Sequence, residues 1–215
     1  SIKVLGRFLY CRSHKSFHAL FTKDKIMNKL NQLKTKDDLA KLLGFKNARY
    51  INYLLYNIQI ANLYNSFTIP KKNGGERIIH APKKELKFLQ KKLANVLWEC
   101  YLESIESKSK GKNFKTPVLS HAFEKGKSII TNSQIHRNKK YILNIDLKNF
   151  FDSFNFGRVR GFFIKDRDFA VTPEIATVIA QIACYQDKLP QGAPSSPIIT
   201  NLITRILDYR IVKIA

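Results

Sequence analysis

Between Lys23 and Asn57 apolar residues recur at helical spacing: Ile26, Leu30 and Leu33 form one stripe, and Leu39, Leu42 and Leu43 form a second that stops at Gly44. Two short helices and then a third are predicted. The segment TKDDLAKLLGFKNARYINYLLYN has the layout of a helix-turn-helix whose second helix could enter a major groove, and equally that of a helical bundle packing on the next domain. Asp37 and Asp38 read as part of a helix N-terminal cap. The run NSFTIPKKNGGERIIHAP then reads as a β-hairpin, with Ser66 to Ile69 and Arg77 to His80 around a turn on Asn73-Gly74-Gly75, closed by Pro82. From Lys83 to Tyr101 helical spacing returns, with Leu86, Leu89, Leu93, Val96 and Leu97 inward and the lysines outward. Ser104 to Pro117, SIESKSKGKNFKTP, is polar and rich in Gly, Ser and Lys, and is expected to be a mobile loop.

The stretch YILNIDLKNFF, Tyr141 to Phe151, alternates like a strand. Tyr141, Leu143, Ile145 and Leu147 fall on one side, and Ile142, Asn144 and Asp146 on the other. A carboxylate at the end of such a strand is costly unless it is paired or binds a cation. Helices are predicted over Asn155 to Ile164 and Pro173 to Cys184, the second with Ile175, Val178, Ile179 and Ile182 at helical spacing. In LPQGAPSSPIITNLITRILDYRIVKIA, Gly192 permits a close backbone approach and three prolines stiffen the loop. Ser196 is positioned to cap a helix with Pro197 at its first turn. That helix carries Ile198, Ile199, Leu202, Ile203, Ile206 and Leu207 on its apolar face. It meets the last residue with neither a glycine stop nor a polar tail, which is read as an artificial boundary.

Composition turns this outline toward a polyanion. The 215 residues are 44% hydrophobic, enough for a core, yet carry a formal charge of +22. Residues 1–140 hold 29 basic against 9 acidic side chains, whereas residues 141–215 hold 9 against 7. The first part is suited to gripping and the second to a reaction site. No apolar run reaches the roughly 20 residues of a membrane span, so a nucleic acid is the expected partner rather than a membrane. Cys11, Cys100 and Cys184 lack CxxC spacing, and the five histidines lack a metal-ligand pattern, so neither a disulfide framework nor a zinc site is expected.

NIDLKNFFDS together with LPQGAPSSP resembles the two signature blocks of a reverse transcriptase palm, and the PQGAPSSP form is most similar to bacterial retron reverse transcriptases. NGGERIIHAP, HAFEKGKSI and NSQIH fall in that family's order, so the resemblance covers about Ser66 to Tyr209. It implies RNA-directed DNA synthesis, an in-line attack of a primer 3′-hydroxyl on an α-phosphate with two magnesium ions as cofactors. Asp146 matches the first metal ligand, and the backbone carbonyl of Leu147 is a further candidate. Phe151 matches the ring beneath the incoming sugar, where its bulk opposes a ribose 2′-hydroxyl. Gln191 and Gly192 match the loop that approaches the nucleotide, and Arg77, helped by Lys71 or Lys72, matches the basic contact to the triphosphate. Asn132 and His136 match an N-A-x-x-H element associated with RNA binding, with Ser133 in place of Ala.

The expected fold is accordingly α/β (α+β), a right-hand polymerase fold. Residues 1–60 are read as a helical extension, 61–140 as fingers, and 141–215 as the first half of a palm. The family's YxDD hairpin does not occur, since the only Asp-Asp pair is Asp37-Asp38, and Asp208 is read as a local ion-pair former. The expectation is that the chain stops before that hairpin and does not polymerise alone. Implied partners are a structured noncoding RNA serving as template and primer, the RNA–DNA product, dNTPs and an effector protein of phage defence, all in a bacterial cytoplasm. A nucleic-acid-binding module without catalysis, or a helix-turn-helix regulator, is the alternative.

Overall fold

Local caps and apolar stripes set the helices. Thr35 opens α2 (Lys36–Leu42): its hydroxyl accepts from the Asp38 amide at 3.2 Å, and the Asp38 carboxylate accepts from the Thr35 amide at 2.9 Å. The computed structural model describes residues 26–71, 74–109, 120–124, 126–144 and 146–214. Expectations that fall on residues 1–25, Lys72, Asn73 and 110–119 therefore lie outside the described residues. Before α2 comes α1 (Ile26–Asn31). After it Gly44, at φ +83°, turns the chain toward α3 (Arg49–Asn52), which widens into π-helical turns over Tyr53–Gln59 and tightens to a 3₁₀ turn over Ile60–Leu63. Leu39, Leu43, Ile51 and Leu54 are fully or almost fully buried, and α2 packs against α7 (Pro173–Ala183). The apolar faces of these helices are thus used in the core, and α2 packs on the next part of the chain.

The expected hairpin is observed, each strand longer than its predicted span. Strands β1 (Tyr64–Pro70) and β2 (Glu76–Pro82) pair antiparallel from Tyr64↔Pro82 to Pro70↔Glu76. Behind it α4 (Lys84–Ser109) buries Leu86, Leu89, Leu93, Leu97 and Cys100 and packs on α1, α7 and α8 (Ser196–Ile214). Each buried leucine contributes about 2 kcal/mol of apolar transfer. Buried Gln90 donates from Nε2 to the Tyr64 hydroxyl at 2.8 Å and to the Ile182 carbonyl at 2.9 Å, joining the hairpin root to α7. α4 runs past its expected end at Tyr101, into the segment read as a loop. The reason is tertiary: Ile26 N donates to Glu103 Oε1 at 2.8 Å, and buried Ser104 donates to Asp168 at 3.1 Å.

Two expectations are corrected. Tyr141–Asn144 and Asp146–Leu147 form no strand, and among the described residues the single sheet is β1–β2. Alternation supplies a face but not a ladder partner, and here Tyr141 and Leu143 are each 82% exposed. The described residues are therefore mainly helical with one hairpin. Nor does Ser196 act as a side-chain cap. Its hydroxyl donates to the Pro190 carbonyl at 2.9 Å, and the Ser195 carbonyl accepts from Ile199 N at 3.2 Å to start α8.

The remaining helices α5 (Ile129–His136) and α6 (Phe156–Lys165) differ in burial. α6 buries Val159 and Phe163 and packs on α7, whereas α5 buries no side chain. Arg205 on α8 reaches Asp166 at 2.9 Å and Asp168 at 3.1 Å, locking α8 to the turn after α6. Among the described residues no ion pair reaches Asp208, and burial raises its carboxyl above the ordinary value.

Candidate active site

Three segments meet at the hairpin root. The His80 amide donates to the Gln191 carbonyl at 3.2 Å. Gly192 lies at φ +114°, and a Cβ built there would stand 3.1 Å from the His80 carbonyl oxygen, so the residue is small because β2 runs directly over it. The close approach expected of this glycine is toward its own hairpin. The loop is also tied to the aromatic segment: Leu189 N donates to the Phe154 carbonyl at 3.0 Å, and Lys188 pairs with Asp152 at 3.1 Å. Asp152 thus has a surface ion pair that bridges two candidate segments.

The Phe151 ring lies edge-on to Phe150 at 5.4 Å and to Phe123 at 6.0 Å, and Phe150 in turn meets buried Phe154 at 5.0 Å. The loop of Gln191 and Gly192 is joined to this aromatic segment at the Phe154–Leu189 bond. Arg77 is exposed on β2, three residues or roughly 10 Å up the strand from His80. Lys71 flanks a turn in which its amide donates to the Gly75 carbonyl at 2.9 Å, with Gly74 and Gly75 at φ +84° and +81°. Lys72 lies outside the described residues.

Asp146 and Leu147 stand on irregular, exposed backbone, and among the described residues no hydrogen bond or ion pair engages the Asp146 carboxylate. Among the described residues no group of three or more His, Cys, Asp or Glu is placed to hold a metal ion. One carboxylate and one carbonyl do not fit a pair of divalent cations, so the described donor set is not a metal centre by itself. Asn132 and His136 share one face of exposed α5, four residues apart, but no described contact joins them to the other candidates.

Sequence reasoning missed the supports around these residues. His80 accepts or donates through Nδ1 with Ser66 Oγ at 2.7 Å and lies edge-on to Tyr185 at 4.9 Å, while Tyr185 stacks on Tyr64 at 4.3 Å. Burial, then the Lys188 charge, lowers the His80 pKa below its ordinary value. Glu124, within HAFEKGKSI, is buried with its carboxyl facing Tyr101 and Asn201. A lone acid in a basic segment was the only signal for it. Cys100 and Cys184 are free and buried, their thiols pushed up to about 12 mainly by burial.

Comparison with known proteins agrees with this arrangement of motifs. The family model described as reverse transcriptase (RNA-dependent DNA polymerase) matches residues 69–213. The retron Ec86 reverse transcriptase of Escherichia coli is 39% identical over 150 residues, covering 69% of this chain and 42% of that protein. The retron Mx65 and Mx162 reverse transcriptases of Myxococcus xanthus are 29% and 30% identical, covering 85% and 87% of this chain and 43% and 39% of those proteins. The chain thus spans less than half the length of these curated relatives. With the family match running from the hairpin through α8, and retron enzymes among its relatives, the chain belongs to the reverse transcriptase family, retron type.

Proposed function

We propose that the protein containing this chain is an RNA-directed DNA polymerase that copies part of a structured noncoding RNA into single-stranded DNA. The observation that carries this reading is the meeting of hairpin root, PQG loop and aromatic segment through the His80–Gln191 and Leu189–Phe154 hydrogen bonds. Those bonds tie the hairpin to the loop that carries Gln191 and Gly192, and that loop to the segment that carries Phe151, while Arg77 is exposed on β2 three residues from His80. In this reading Arg77 and Lys72 meet the triphosphate, Gln191 and Gly192 approach the nucleotide, and Phe151 faces the sugar. Asn132 and His136, displayed on exposed α5, contact the RNA.

Two magnesium ions are the proposed cofactors, with Asp146 and the Leu147 carbonyl supplying part of a donor set that needs further carboxylates. Residues 1–60 serve as a helical extension, 61–140 as fingers and 141–215 as part of the palm. The proposed setting is a bacterial cytoplasm, in a phage-defence system with an effector protein. Among the described residues no helix is long and apolar enough to cross a membrane.

The test is primer extension on RNA by the intact protein with magnesium and dNTPs. Asp146→Ala is expected to abolish synthesis. Asp146→Asn is expected to leave the melting stability within about 0.5 kcal/mol, because an exposed side chain without a described partner contributes little to folding. Undiminished synthesis by Asp146→Ala would exclude the assignment.

A further inference from the structure

The backbone at Phe123 lies at φ +60°, in the left-handed region that bulky side chains seldom occupy. Such a conformation persists where its surroundings over-determine it. Both neighbours of Phe123 are fixed. The Ala122 carbonyl accepts from Asn201 Nδ2 of α8 at 3.0 Å, and the Glu124 side chain is buried against Tyr101 of α4 and Asn201. Glu124 Oε1 has no hydrogen-bond partner among the described residues, so this anchor is retained despite an unsatisfied buried oxygen. Held on both sides, the Phe123 ring lies 6.0 Å from Phe151 at an interplanar angle of 67°. Phe150 meets Phe151 at 5.4 Å and 78°.

We propose that Phe123 is a positioning residue for sugar selection: it buttresses the Phe151 ring, and the Glu124–Tyr101–Asn201 anchor holds the buttress in place. A ring excludes a ribose 2′-hydroxyl only if it cannot tip aside, because a clash that relaxes by side-chain rotation discriminates little. Phe150 limits that rotation through one contact and Phe123 through another. The inference rests on the reading of Phe151 as the sugar-facing ring.

The experiment measures single-nucleotide incorporation by the intact polymerase, with kcat and KM determined separately for a dNTP and its rNTP. Phe151→Ala, Phe123→Ala, Phe123→Leu and the Phe123→Ala/Phe151→Ala double variant are compared. Phe123→Ala is expected to shift the rNTP-to-dNTP ratio of kcat/KM toward the ribonucleotide by about tenfold, with little change in dNTP kcat, and Phe123→Leu by less. The double variant is expected to be no less selective than Phe151→Ala alone, since a buttress has no effect without the ring it supports. If Phe151→Ala relaxes selection while Phe123→Ala and Phe123→Leu leave the ratio unchanged, or lower both substrates equally, the buttress is wrong and the sugar-facing reading stands. If Phe151→Ala itself leaves the ratio unchanged, that reading fails and takes the buttress with it.

Discussion

At Gly192 two penalties coincide: φ +114° strains any L side chain, and a Cβ would press on the His80 carbonyl at 3.1 Å and on Ile79 Cγ2 at 3.3 Å. The nearer neighbour is backbone rather than a flexible side chain, so β2 itself must give way slightly. Gly192→Ala is expected to lower stability by roughly 1–3 kcal/mol, read from urea melts, with the His80–Gln191 amide proton losing exchange protection. The need for glycine was legible in PQG, but its partner was not, because the contact joins segments far apart in sequence. Ser196 shows the opposite failure. Its local pattern fits a cap, yet the Pro190 carbonyl claims the hydroxyl, a competitor that the pattern does not expose.

Among the elements, the segment around Glu124 responds to pH. Burial raises the Glu124 carboxyl above its ordinary value of 4.5, opposed by Tyr101, Lys127 and Asn201 and assisted by the Asp208 charge. In the window above 4.5, up to that raised value, the folded protein keeps a proton that the unfolded chain has released, so stability falls as pH rises through it. Gln at this position cannot ionise. Glu124→Gln should therefore melt increasingly above the parent as pH is raised through that window, a difference measurable by parallel thermal scans. Elements were legible where their cause was local, as in the cap that includes Asp38 and the helical spacing of apolar residues in α4. They were misread where it was not: α4 continues because Glu103 and Ser104 find distant partners, and among the described residues no strand pairs with Tyr141–Asn144 or Asp146–Leu147.

For the molecule as a whole, the charge of +22, concentrated in residues 1–140, sets how the proposed RNA partner would be held. Lysines on exposed faces would contact phosphates and release counterions, whereas stacking and shape recognition are nearly insensitive to salt. RNA affinity of the chain is expected to fall at least about a hundredfold between about 50 mM and about 200 mM monovalent salt, measured by fluorescence anisotropy. A nearly flat response would mean that the basic face is a solvated surface only. The hairpin adds a mechanical feature to that face. Seven residues long per strand, it is exposed along β1 from Asn65 and along β2 through Ile78, and among the described residues its burial is confined to Tyr64 and Ile79–Pro82. It is a cantilever of roughly 20 Å. A small push at the glycine-rich tip is therefore delivered as torque to the clamp at its base, where the Gln191 carbonyl and the Tyr64–Tyr185 stack act as the fulcrum.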